Sequence, residues 1–131
     1  MAASTPNALY RDSAAWQKAM QLAALVYRCT SMFPADERFG LTNQLRRCAV
    51  SIPSNIAEGK GRLTRGELMH FIGMARGSAL ELQTQLELAT TLGFGNPHQI
   101  ETAQALACEV VRILNASLTT MRAKTPPPKL R

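Results

Sequence analysis

The stretch over residues 40–67, GLTNQLRRCAVSIPSNIAEGKGRLTRGE, constrains the fold more than any other. Leu41, Leu45, Cys48, Ile52 and Ile56 recur every three or four residues, which sets them on one face of an α-helix. Pro53 falls inside that seam. A proline there removes one backbone hydrogen bond and crowds the carbonyl of Ala49, so the helix is expected to kink near Pro53. Ser51, Ser54 and Asn55 are spaced to satisfy the backbone groups that the proline frees. Gly59 follows the seam and is expected to end the helix in a left-handed conformation.

The rest of the chain reads as helices that pack against this one. Upstream, Asp12 or Ser13 suits an N-cap, and Ala19, Leu22, Val26, Cys29 and Phe33 form a helical face that Pro34 stops. Trp16, Met20, Ala23 and Tyr27 add a second apolar row beside it. Downstream, Thr64 and Glu67 have the spacing of a capping box, and Leu68, Ile72, Ala75, Ala79, Leu82, Leu86 and Ala89 carry a heptad seam. Gly73 and Gly77 lie on a neighbouring face, where close approach of another backbone would compensate for glycine's poor helix propensity. Gly93 and Gly95 end that helix. Asn96-Pro97 then opens the last one, whose seam runs through Ile100, Ala103, Ala107, Val110, Leu114, Leu118 and Met121.

The expected fold is therefore all-α: an antiparallel up-down-up-down four-helix bundle over residues 12–124, with its second helix kinked near Pro53. Residues 1–11 are expected to be a disordered tail, and residues 125–131 a disordered basic, proline-rich one. The apolar row of Trp16, Met20 and Tyr27 exceeds what a monomer buries, which predicts a homo-oligomer. Scarce aromatics, 5% of a 131-residue chain, agree with helix over sheet.

Cys29, Cys48 and Cys108 are an odd number without close spacing, so they read as reduced core residues rather than disulfides or a zinc site. No basic segment followed by an apolar run begins the chain, and no apolar stretch is long enough to span a membrane. A cytoplasmic protein with no membrane role is the expectation.

Charge is the main functional signal. The net charge is +6, and it is uneven. Between Arg38 and Arg76 seven basic residues face only Glu58 and Glu67, and five basic residues with no acid follow Glu109. Such asymmetry favours a polyanionic partner. Arg46, Arg47, Lys60, Arg62 and Arg65 are the candidate nucleic-acid-binding residues, since arginine forks and lysine ammonium groups suit phosphate oxygens. Arg46 and Arg47 are adjacent and point about 100° apart on a helix, so at least one faces away from the core. Interleaved aromatics are missing, so binding would follow the backbone without base specificity. The alternative is that Arg46 or Arg47 pairs with Glu58, Glu81 or Glu87 within the oligomer.

No catalytic constellation, phosphate loop or cofactor motif stands out, so the chain reads as non-enzymatic and without cofactor. Glu67 and His70 have the spacing used by di-iron bundles. Such sites need two of these motifs and further glutamates, so no metal is expected. The competing function is a protein-interaction scaffold with no nucleic-acid role.

Residues 25–62, 67–78 and 81–89 together resemble one bacterial family. The string LRRCAVSIPSNIAEG over residues 45–59 carries most of the likeness. That family is the four-helix-bundle proteins of 23S ribosomal RNA intervening sequences. The chain is also similar to the related accessory variability determinant of diversity-generating retroelements. The resemblance implies a homopentamer with a central channel. For the retroelement relatives it also implies a basic surface that binds nucleic acid and a reverse transcriptase.

Overall fold

A computed structural model describes residues 8–124 of the chain. The expected tails over residues 1–7 and 125–131 lie outside the described residues. A one-turn helix α1 (Ala8–Arg11) precedes α2 (Ala14–Thr30), a 3₁₀ turn (Ala35–Glu37), α3 (Leu41–Lys60), α4 (Arg65–Leu92) and α5 (Pro97–Ala123). The described residues contain four long helices and no strand. Residues 8–11 thus form a helical turn within the stretch that the sequence assigns to a tail.

Three of the helix starts are capped by the side chains that the sequence nominates. Ser13 Oγ accepts from the Trp16 amide at 3.2 Å, and Thr64 Oγ1 accepts from the Glu67 amide at 3.2 Å. Asn96 Oδ1 accepts from the amides of His98 and Gln99 at 2.9 and 3.1 Å. Each bond satisfies a donor that the first helical turn leaves without an internal partner. The start of α3 uses a cap that sequence spacing does not show: Glu37, in the 3₁₀ turn, accepts the Leu41 amide on its Oε2 at 2.9 Å.

The four seams meet in one core. Leu22 and Val26 of α2, Leu45, Ile52 and Ile56 of α3, Leu82 and Leu86 of α4, and Val110 and Leu114 of α5 are fully buried. α3 packs against α2 and α4, and α5 packs against the same two helices. Removing these side chains from water supplies most of the stability, at about 1.5–3 kcal/mol for each large one.

Helix α3 is assigned as one continuous helix through Pro53, which is buried. Ser51 Oγ donates to the Cys48 carbonyl at 2.7 Å, and Asn55 Nδ2 donates to the Ser51 carbonyl at 2.8 Å. Both bonds go to carbonyls other than that of Ala49, the acceptor that Pro53 leaves without its helical donor, so neither supplies the replacement expected from the sequence.

The glycines differ from expectation. Gly59 is not a left-handed terminus: α3 continues through it to Lys60, and only Gly93 and Gly95 have positive φ among the described residues. Gly59 is buried, and a Cβ there would lie 2.8 Å from Phe71 Cβ. Its role is to let α3 approach α4. Gly73 and Gly77, expected at a close approach, face open space: a Cβ added at either would meet nothing within 4 Å. Gly93 and Gly95 do end α4, and at Gly95 a side chain would meet the Phe33 ring at 2.7 Å.

Candidate nucleic-acid interface

The five nominated cations do not form one cluster. Arg47 and Lys60 sit thirteen residues apart on α3. At 1.5 Å per residue they are separated by roughly 20 Å along the helix axis. Arg46 and Arg47 belong to one group, and Lys60, Arg62 and Arg65 to another.

Arg46 is half-buried against α2. Its Nε donates to Thr30 Oγ1 at 2.8 Å, and its Nη2 donates to the Tyr27 carbonyl at 3.4 Å. The guanidinium also lies 4.6 Å from the Tyr27 ring centroid. The Tyr27 carbonyl also accepts the Ser31 amide at 3.1 Å, so Arg46 adds a charged donor at the last turn of α2 and complements the negative end of the helix dipole. Arg46 therefore ties two helices together, and its fork is engaged before any ligand arrives. Arg47, one step further round α3, is exposed beside Asn43, Gln44, Ser51 and Glu81. The 100° step between neighbours on a helix separates the two roles.

The second group lies where α3 ends and α4 begins. Lys60 is the last residue of α3, and Arg65 is the first of α4; both are exposed. Arg62 is committed locally. Its Nη2 meets Glu58 Oε1 at 2.8 Å, and its guanidinium stacks 4.7 Å from the Phe71 ring centroid. The only other ion pair among the described residues joins Lys18 and Glu109 at 2.8 Å. Within this single protomer Glu58 pairs with Arg62, and neither Arg46 nor Arg47 forms an ion pair with Glu58, Glu81 or Glu87.

The fold adds cations to this end that the sequence did not nominate. One cavity is lined together by Ser13, the N-cap of α2, Ile56 and Lys60 of α3, Leu68 of α4, and Thr120 and Met121 of α5. The start of α2, the end of α3, the start of α4 and the end of α5 are therefore neighbours. Arg11, Arg122 and Lys124 consequently join Lys60 and Arg65 at one basic pole, and all five are exposed. The acids there are Asp12, Glu58 and Glu67, and Glu58 is already paired. The acid-free run after Glu109 was the sequence signal for Arg122 and Lys124. The missing step was knowing which helix ends meet.

The buried cysteines offer no chemistry. The Cys48 thiol is pushed up to about 12, first by burial and then by the charge of Glu81 and a hydrogen bond with it. Its Sγ also donates to the Ser78 carbonyl at 3.0 Å. Burial likewise raises Cys29. Both stay as thiols at neutral pH, which makes them weak nucleophiles. Cys108, expected in the core, is exposed. Among the described residues no three His, Cys, Asp or Glu side chains gather where they would hold a metal ion, and no helix is long and apolar enough to cross a membrane.

Comparison with known proteins places the chain. A comparison with curated proteins finds no match. Among solved structures, it is similar to a protein of unknown function from the S23 ribosomal protein family of Bacteroides thetaiotaomicron. That likeness has a TM-score of 0.74 at 20% identity, and covers 79% of this chain and 97% of the other. At that identity the likeness speaks for the fold alone. The family model for the 23S rRNA-intervening sequence protein matches residues 11–116. The seams, the caps and this match over most of the chain lead to one assignment: the chain belongs to the 23S rRNA-intervening sequence protein family.

Proposed function

We propose that the protein is a non-enzymatic, cytoplasmic helical bundle that binds the backbone of DNA or RNA through its basic pole. The observation that carries this reading is the gathering of Arg11, Lys60, Arg65, Arg122 and Lys124 at one end, none with a carboxylate partner among the described residues. Exposed cations from several helices attract a polyanion without reading its bases. Arg47 extends the surface along α3, whereas Arg46 and Arg62 contribute field and little direct contact.

The reading includes an antiparallel, up-down-up-down arrangement, with α3 bent at Pro53. Cross-helix bonds support the direction. Arg76 pairs with Asn115 while Gln104 bonds to Gln83, so numbering rises on α4 as it falls on α5. Cys48 meets Ser78 while Gly59 meets Phe71, the same relation between α3 and α4.

Self-association belongs to the reading as well, with a homopentamer as the expected size. Tyr10, Trp16, Met20 and Tyr27 with Val50 and Pro53 line an apolar groove of about 490 Å³. Open apolar surface of this kind favours a second copy or another protein as its cover. It also keeps the scaffold function as the second reading.

Fluorescence anisotropy of labelled single-stranded DNA and RNA, titrated across salt concentrations, tests the proposal. The logarithm of affinity is expected to fall with the logarithm of salt, by about 0.7 per phosphate contacted. Replacing Lys60, Arg65 and Lys124 with glutamine should flatten that slope. Absence of binding at low salt, or an unchanged slope in the triple variant, would leave the scaffold reading in its place.

A further inference from the structure

A second cationic site lies between α4 and α5, apart from the five residues nominated by sequence. Arg76, Arg122, His70, Asn115 and Thr119 line a cavity of about 480 Å³, with Met69 and Leu118 at its apolar part. No carboxylate lines it. We propose that this groove binds the phosphate group of a small phosphorylated molecule, such as a nucleoside diphosphate.

Several features converge on that ligand class. Two guanidinium groups face one cavity, and planar arginine forks match phosphate oxygens in paired hydrogen bonds. Arg76 is held in place because its Nε donates to Asn115 Oδ1, which uses one of its five donors. Neither Arg76 nor Arg122 has an ion-pair partner among the described residues. The His70 ring packs edge-on against Phe71, with centroids 5.5 Å apart, which fixes it at the rim. Gly73 also lines the cavity. A Cβ at that position would meet nothing within 4 Å, so the helix leaves open a space that a larger side chain would fill. The volume lies within the range of small-molecule sites, roughly 300–1,000 Å³. The apolar patch beside the cations suits an organic group attached to the phosphate. The groove shares Arg122 with the basic pole, whereas Arg76, His70, Asn115 and Thr119 belong to the groove alone.

Isothermal titration of the full chain with pyrophosphate, adenosine diphosphate and a single-stranded oligonucleotide tests it. Saturable binding of the two small ligands is expected, with adenosine diphosphate the tighter. Arg76→Gln and Arg122→Gln should each weaken it by about tenfold, as loss of a charge-assisted bond implies. Gly73→Leu should abolish binding while raising the thermal midpoint, because it fills the groove and removes a glycine from mid-helix. That pairing separates a lost site from a lost fold. Lys60→Gln with Arg65→Gln should leave the small ligands' affinity unchanged. Three results would overturn the proposal: no saturable binding of either small ligand, unaltered affinity in both arginine variants, or binding confined to the oligonucleotide.

Discussion

The two ends of the molecule are built on opposite plans. At one end, the connection after α2 and the connection between α4 and α5 are clasped together. Phe33 and Phe94 pack with centroids 5.8 Å apart, and the Gly95 backbone lies against the Phe33 ring. Glu37 caps α3 within the same region. At the other end, helix termini surround a cavity, and the surface carries cations that pair with little. Aromatic packing and backbone caps hold the first end shut. The second end presents unbalanced charge, which costs stability through self-repulsion and suits a polyanion. On the proposed reading, stability rests with one end and binding with the other, and substitutions should separate them.

The largest expected effect is at the clasped end. Phe33→Ala should cost about 3–5 kcal/mol in urea unfolding, the range for removing a buried phenylalanine, with polynucleotide affinity of the folded fraction unchanged. Gly95→Ala comes next. It combines a left-handed backbone with an overlap on the Phe33 ring, and about 1–3 kcal/mol of destabilisation is expected by the same measurement. Arg46→Gln should cost about 1–2 kcal/mol, because it strips donors from Thr30 and the Tyr27 carbonyl, while leaving the salt dependence of binding almost unmoved. Arg47→Gln should show the reverse pattern, with a shallower salt slope and little change in stability. The smallest effect on folding belongs to the basic end: Lys60→Gln with Arg65→Gln should stay within about 0.5 kcal/mol of the parent while weakening polynucleotide binding. A large stability loss in that pair would erase the contrast between the ends.

Most of the helical framework was legible in the sequence because it follows local rules. The seam from Leu41 to Ile56 and the caps at Ser13, Thr64 and Asn96 each depend on residues within a turn or two. What was missed depends on which helices meet. Gly59 looked like a terminus because a glycine after an apolar run usually ends a helix, but its task is contact with Phe71 on the next helix. Gly73 and Gly77 looked like contact glycines, yet no neighbour reaches them. Cys108 sits beside an apolar seam in sequence but on the outer side of α5. Of the candidate interface, Arg47, Lys60 and Arg65 were found as exposed cations. The engagement of Arg46 by α2, and the arrival of Arg11, Arg122 and Lys124 at the pole, required the tertiary arrangement.

The uninterrupted α3 has a geometric consequence for any long polyanion. Arg47 and Lys60 stand on one helix, and the roughly 20 Å of axis between them, which a bend at Pro53 shortens only slightly, is a ruler that ligand binding cannot easily rescale. Duplex DNA advances about 3.4 Å per base pair, so a segment touching both marks must run for about six base pairs. Shorter duplexes would reach one mark only, and affinity plotted against oligonucleotide length should show a step near that size.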